Sequence, residues 1–284
     1  MTVQEYFTPR SLPEALDLLA RHGPDLLVMA GGTVAMPLIN DGISLPERVM
    51  SLRHAGLERI EQRGDDLVMG AAATLTQLLV QDAVPLLSEA ARNTGSWAIR
   101  NMATVGGNLF TPPPGGDVAV ALLALDARVR LAGPAGERVL PLADFYTGFM
   151  TTALAADELL VDISVPMAAR EGAFIKFGRK HANTPAVVTV AVAVERRDGH
   201  VEHARVALGA CGPHPIRVAG AEAALVGSTL EPAAIEQAAE AAAQECQPFT
   251  DAIASAWYRR RMVGVFVRRA LDQLVEQGGA GRAA

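Results

Sequence analysis

Two Gly-Gly pairs mark the stretches of this 284-residue chain that are best suited to bind a ligand. The segment 30–34, Ala-Gly-Gly-Thr-Val, follows an apolar run at 26–29, and the segment 100–109 carries the second pair at Gly106 and Gly107. Glycine has no Cβ, so it can adopt a positive φ and lets a ligand approach the main chain. Successive N–H groups in such turns form anion-binding nests. The two pairs therefore predict one extended phosphate ligand that is held from both sides.

The apolar run 118–125, which Asp117 opens, predicts a helix close to the second pair. The first N–H groups of a helix have no partner inside it and can bind an anion. A Gly-Gly pair after an apolar element can also be a plain bend, and Asp117 can be a plain helix cap. Residue types alone therefore indicate an α+β protein and leave open whether the turns bind a phosphate-bearing cofactor.

The elements that must position these turns begin with a small α/β unit, which forms the predicted subdomain 1–53. Ser11, Pro13 and Glu14 form a predicted capping box at the start of a helix that ends near Gly23. The predicted subdomain 54–170 contains two hairpins, helices that begin at Thr74 and Pro85, and a last strand. The predicted strands of both subdomains are 6–7, 26–29, 48–52, 57–62, 66–70, 126–131, 138–140 and 158–165.

A polar stretch at 167–172 follows a proline and is the predicted boundary of a second domain, 171–276. Three strands are predicted there, at 173–179, 186–196 and 200–210, with a tight turn between the last two. Helices are predicted at 217–225, 232–246 and 251–275, and a disordered tail at 277–284.

Composition and motifs exclude several classes of protein. The net charge of −6 without a basic block argues against a nucleic-acid surface. Cys211 and Cys246 form no CxxC motif, so we expect no metal held by this chain and two free thiols in a reducing cytoplasm. No signal peptide is indicated, and the apolar runs are shorter than the ~20 residues of a membrane span. The dinucleotide, P-loop, zinc-protease and hydrolase motifs are absent.

The glycine motifs and the residues around them resemble those of one family, the FAD-binding (medium) subunits of the molybdenum hydroxylases. The chain is similar to the carbon monoxide dehydrogenase flavoprotein subunit and to the flavin domain of xanthine dehydrogenase over nearly its whole length. The resemblance implies an α+β fold: a two-subdomain FAD-binding domain of the PCMH, vanillyl-alcohol-oxidase-like type, then a three-stranded sheet with helices. The residues that carry it are Ala30-Gly31-Gly32, Arg100-Asn101, Thr104-Val105-Gly106-Gly107-Asn108 and Asp117.

The resemblance also implies which residues hold FAD. Asp117 would contact the adenosine part, while Leu160, through its main chain, and Lys176 would contact the flavin side, although Lys176 can also be a plain surface lysine. The pyrophosphate would lie between two sets of residues: Met29, Ala30, Gly31, Gly32, Thr33, Val34, Ala35 and Met36, and Thr104, Val105, Gly106, Gly107 and Asn108.

The sequence differs from the family's usual pattern at three places, and these differences indicate which branches of the family it resembles less. Thr33-Val34 stands where relatives often carry a polar pair, so contacts at Val34 must use the main chain. The aromatic residue that carbon monoxide dehydrogenases have near Thr184 is missing, and so are the cysteines of the benzoyl-coenzyme-A reductase branch.

The activity that the resemblance implies is electron relay by an oxidoreductase subunit with no catalytic acid, base or nucleophile of its own. FAD would lie on this chain, and [2Fe–2S] clusters and molybdopterin on a small and a large partner subunit, in a dimer of heterotrimers. Two alternatives stay open: a self-contained flavin-dependent oxidoreductase, and an assembly subunit that has lost FAD. The sequence does not name the substrate.

Overall fold

A computed structural model describes residues 3–111, 116–168, 170–180 and 183–280. The first α/β unit consists of β1 (Glu5–Phe7), α1 (Leu12–His22), β2 (Leu26–Met29), α2 (Ala35–Asn40) and β3 (Arg48–Ser51). Its three strands are parallel in the order β1-β3-β2, so the loops that follow β2 and β3 leave the sheet at the same edge.

The cap of α1 differs in one detail from the predicted capping box. Ser11 accepts a hydrogen bond from the backbone N–H of Glu14, as expected. The Glu14 carboxylate, however, accepts from the N–H of Arg10, 2.7 Å away, rather than from that of Ser11. The helix then ends at Gly23, whose φ of 53° closes it as predicted.

The second unit is built on an antiparallel sheet of order β4-β5-β10-β6-β7, and it confirms both predicted hairpins. Its central helix α7 is buried on every side, which explains the unbroken apolar run in the sequence. The elements are β4 (Ile60–Arg63), β5 (Asp66–Gly70), α3 (Leu75–Gln81), α4 (Pro85–Arg92), α5 (Trp97–Arg100), α6 (Val105–Leu109), α7 (Asp117–Ala124), β6 (Arg128–Gly133), β7 (Gly136–Pro141), α8 (Leu142–Phe145), β8 (Tyr146–Gly148), β9 (Thr151–Thr152) and β10 (Leu159–Pro166).

The C-terminal part is an antiparallel sheet that packs against helices. Its elements are β11 (Glu171–Gly178), β12 (Ala186–Arg197), β13 (His200–Gly209), β14 (Ile216–Arg217), α9 (Ala219–Leu225), α10 (Pro232–Glu245) and α11 (Ala256–Ala280).

The three predicted strands are confirmed, and two details of this part differ from the prediction. The sheet has four strands, because the two-residue β14 pairs with β13 and is too short to show a periodicity in the sequence. Residues 277–280 belong to α11, and residues 281–284 of the predicted tail lie outside the described residues. Arg196 explains the longer helix, since it donates to the carbonyl of Leu274 at 3.4 Å and lies beside Gly278.

Helix α7 also joins the two parts of the chain, because it packs against β12 and β13. A Cβ at Gly209 would lie 2.5 Å from Val120 Cγ2, so glycine is needed there for close packing. Among the described residues, no helix is long and apolar enough to span a membrane.

Candidate functional site

The first Gly-Gly segment forms an open turn between β2 and α2. Gly32 has a φ of 73°, and its carbonyl accepts from the N–H of Met36 at 2.9 Å, which starts α2. The six consecutive amides of residues 30–35 donate to no acceptor in the described part of the chain. The turn is only half-buried, so these donors are within reach of a ligand. It has the properties of the predicted anion-binding nest.

Gly31 brings the first segment into contact with the second. A Cβ at this position would lie 1.8 Å from the carbonyl oxygen of Met102 and 3.2 Å from the Cα of Ala103. No side chain fits in that space, so glycine is needed here for close approach of two backbones rather than for a positive φ. The structure thus places the two predicted segments side by side.

The second Gly-Gly pair differs from the prediction. It lies inside the short helix α6, and neither Gly106 nor Gly107 has a positive φ. The amides of residues 105–108 all have acceptors within the chain, so this segment is not an open nest. The donors and acceptors are Val105 to Ala73 O (2.8 Å), Gly106 to Ala71 O (3.0 Å), Gly107 to Thr104 Oγ1 (3.0 Å) and Asn108 to Thr104 O (3.0 Å).

The reason for glycine at the second pair is packing. A Cβ at Gly106 would lie 2.7 Å from the carbonyl oxygen of Ala71. The small residues Gly-Ala-Ala-Ala at 70–73 allow the two backbones to meet, and Val161 O accepts from the Ala71 N–H at 2.9 Å. The prediction for the second pair did not include Ala71 as its partner, although the run of small residues at 70–73 marks that position.

Asn108 connects the second segment to α7. Its side chain is buried, and its Oδ1 accepts from the N–H of Ala119 at 2.9 Å. A Cβ at Gly116 would lie 2.6 Å from the carbonyl oxygen of Asn108. The side chain of Asn108 therefore caps the first turn of α7 from inside the protein.

Asp117 and Lys176 form one buried ion pair. The Lys176 ammonium donates to Asp117 Oδ2 at 2.6 Å and to the carbonyl of Asn93 at 3.3 Å, while Thr189 donates to Asp117 Oδ1 at 3.1 Å. Burial raises the pKa of the Asp117 carboxyl, and the Lys176 ammonium beside it opposes that rise.

The ion pair bears on two predictions. Asp117 is predicted at the adenosine part of FAD and Lys176 at the flavin side, yet each is an ion-pair partner of the other here. Their contacts with the cofactor stay predictions. Asp117 places a carboxylate in the first turn of α7. This negative charge stabilises the N-terminus of the helix, as a bound phosphate would, so the helix does not need an external anion there.

Leu160 lies in β10, opposite Leu131 of β6, just before a bulge that ends at Asp162. Its side chain is buried in the core of the second unit. Only the main chain of Leu160 is left to face a cofactor, and its contact with flavin stays a prediction. In the described part of the chain, no three His, Cys, Asp or Glu side chains lie together as a metal-binding group.

Comparison with known families shows which family the chain belongs to. Residues 2–168 match the FAD binding domain in molybdopterin dehydrogenase, and residues 172–274 match the CO dehydrogenase flavoprotein C-terminal domain. The chain belongs to this family. It is an FAD-binding oxidoreductase subunit of the medium-chain type, as the glycine motifs indicated.

Relatives in this flavoprotein family match over nearly the whole length of the chain. The carbon monoxide dehydrogenase medium chain of Hydrogenophaga pseudoflava is 33% identical, with 94% of this chain and 96% of that one covered. The nicotine 6-hydroxylase medium subunit of Paenarthrobacter nicotinovorans is 31% identical, with 94% and 95% covered.

Solved structures of the family have the same fold. The carbon monoxide dehydrogenase of Hydrogenophaga pseudoflava contains a chain that superposes with a TM-score of 0.90 at 34% identity, with 95% of this chain and 96% of that one covered. The quinoline 2-oxidoreductase of Pseudomonas putida 86 gives a TM-score of 0.90 at 28% identity, with 96% and 97% covered.

Proposed function

We propose that this flavoprotein relays electrons within a multi-subunit molybdenum hydroxylase and holds the diphosphate of its FAD against the open amides of residues 30–35. The observation that carries the proposal is this row of six unpaired donors on a half-buried turn. A diphosphate supplies several negatively charged acceptor oxygens, which match such donors in charge and in number. When bound, FAD would supply the redox chemistry, and the chain would position it.

In this proposal the two glycine segments have different tasks. Gly31 and Gly32 shape the nest, Thr33 adds a hydroxyl donor, and Val34 contributes its amide alone. Residues 104–108 follow the backbone of 102–103 that lies against Gly31, and they support the site from behind. The amides of residues 105–108 are bonded within the chain and do not donate to the ligand. The contact of Leu160 with the flavin side remains a proposal, and so does that of Lys176.

The partners in this proposal are an iron–sulfur small subunit with [2Fe–2S] clusters and a large subunit with molybdopterin. The chain and both partners would form a heterotrimer that dimerises in the cytoplasm. Electrons would enter from the clusters and leave to an external acceptor. Two observations support it: relatives that match end to end carry the names of medium chains, and both cysteines of this chain are buried free thiols.

The test is to produce the chain alone and together with the iron–sulfur and molybdopterin subunits that the proposal requires. Carbon monoxide, nicotine and quinoline, the compounds named by the relatives, serve as a starting panel of reductants. We expect each preparation to contain FAD and the flavin absorbance to bleach only when all three chains are present. Bleaching of the lone chain at a comparable rate would instead show a self-contained flavoenzyme, and a colourless lone chain would indicate an assembly subunit.

A further inference from the structure

We propose that Arg53 binds the diphosphate of FAD from the side of the open turn, across from the amides of residues 30–35. This inference rests on the proposed binding of FAD at that turn. It assigns part of the cofactor affinity to a charged side chain that lies outside both glycine segments.

Strand register places Arg53 at the right edge of the sheet. Met29 at the end of β2 pairs with Ser51 at the end of the parallel strand β3. Gly31 lies two residues beyond Met29, and Arg53 lies two residues beyond Ser51. Since neighbouring parallel strands lie about 4.8 Å apart, the two positions leave the sheet as neighbours.

Met102 contacts both positions and so confirms their proximity. Its carbonyl oxygen lies against Gly31, where a Cβ would come within 1.8 Å. Its sulfur lies 3.6 Å from Nη2 of Arg53. A single residue therefore separates the guanidinium group from the open turn.

The charge of Arg53 is available for a ligand. Its side chain is exposed, and among the described residues its guanidinium group forms no ion pair and one hydrogen bond, to the Met102 sulfur, a weak acceptor. Arg48, at the other end of β3, differs because its guanidinium pairs with the carboxylate of Glu5 at 2.5 Å. A guanidinium group presents its donors as a planar fork that matches two phosphate oxygens at once. Arg53 thus has the donors, the charge and the position to bind a diphosphate.

The experiment titrates FAD into the full-length chain after removal of its flavin, at increasing potassium chloride concentrations. The variants are Arg53→Gln and Arg53→Lys, with Arg197→Gln as the matched control. Arg197 is an exposed arginine at the end of β12, in the C-terminal part of the chain, and pairs with Glu202 at 3.1 Å. Thermal unfolding of each flavin-free variant reports on any purely structural role.

We expect Arg53→Gln to weaken FAD binding about tenfold at low salt, as for loss of one charge-assisted hydrogen bond. Its affinity should also depend less on salt than that of the wild type, because one attractive charge is missing. Arg53→Lys should keep the wild-type salt dependence with a smaller loss of affinity, and Arg197→Gln should match the wild type. The flavin-free proteins should all unfold at the same temperature.

Two outcomes would overturn the assignment of Arg53. One is wild-type affinity and salt dependence in Arg53→Gln, while Gly31→Ala still loses FAD. The other is a lower unfolding temperature of flavin-free Arg53→Gln together with an unchanged salt dependence, which would show a structural role. Failure of the wild-type chain to bind FAD would overturn the proposed function itself.

Discussion

The two Gly-Gly segments look alike in the sequence, yet the structure uses them in opposite ways. In the first, glycine opens a turn, gives one positive φ at Gly32 and leaves six amides unpaired. In the second, Gly106 and Gly107 lie in a short helix whose amides all have acceptors within the chain. One segment therefore offers donors to a ligand, while the other supports the first through Met102 and Ala103.

The difference shows that a Gly-Gly pair indicates close packing first, and that it does not by itself indicate a ligand site. A Cβ at Gly31 would collide with the backbone of Met102, and one at Gly106 would collide with Ala71. Both pairs permit close approach, but only the first leaves its N–H groups free. The number of unpaired amides distinguishes a loop that can bind a ligand from a packing contact. The residue types alone do not distinguish the two.

The largest expected effect concerns the ion pair on the side of the second segment. Lys176→Met leaves the Asp117 carboxylate buried without a counter-ion, which should lower the free energy of unfolding by about 3–5 kcal/mol. Urea unfolding of the flavin-free protein measures this loss. The double variant Asp117→Asn, Lys176→Met should lose less, since no charge is left buried. A single variant within about 1 kcal/mol of the wild type would show that the pair does not stabilise this side.

Gly31→Ala should affect ligand binding more than stability. The new Cβ forces the half-buried turn away from Met102 and misaligns its amides, and loss of two hydrogen bonds to a charged ligand costs about a hundredfold in affinity. Titration of flavin-free protein with FAD measures the change. Gly64→Ala is the control, because Gly64 lies in a hairpin turn where a Cβ would meet open space. Tight FAD binding by Gly31→Ala would contradict the nest.

Gly106→Ala should show the reverse pattern. Its Cβ would push against Ala71, and such overpacking typically costs about 1–3 kcal/mol of stability. The folded fraction should still bind FAD, because the amides of this segment do not face the ligand. Thermal unfolding and FAD titration of the same preparation give both quantities. Wild-type stability combined with lost binding would instead show that the second segment contacts the cofactor directly.

The smallest expected effect is that of Asn108→Ala. It removes the side-chain cap from the Ala119 amide, and loss of a helix cap costs about 1 kcal/mol. We expect a modestly lower midpoint in urea and little change in FAD affinity. If the loss of FAD affinity, expressed as free energy, far exceeded the loss of stability, Asn108 would contact FAD directly rather than only cap α7.

The sequence predicted the elements well where a local pattern decides them. Both hairpins, the strand before the first Gly-Gly pair and the buried helix α7 follow from periodicity, turn residues and an unbroken apolar run. The two-residue strand β14 has no period to detect, and α11 continues through its glycines because Arg196 contacts its last turns.

The site was predictable only in part, for a physical reason. The sequence identifies glycines, but whether an amide is free depends on acceptors elsewhere in the chain, such as Ala71 and Ala73. In the same way, Asp117 and Lys176 lie 59 residues apart in the chain. No local sequence pattern predicts that they are in contact.

Amide hydrogen exchange with and without FAD tests the difference between the two segments most directly. Peptides that cover residues 29–36 should exchange quickly in the flavin-free chain and become strongly protected when FAD is added. Peptides that cover residues 104–109 should be protected in both states, since their amides are already bonded within the chain. Protection that appears on FAD addition at 104–109 but not at 29–36 would contradict the assignment of the first segment as the diphosphate nest.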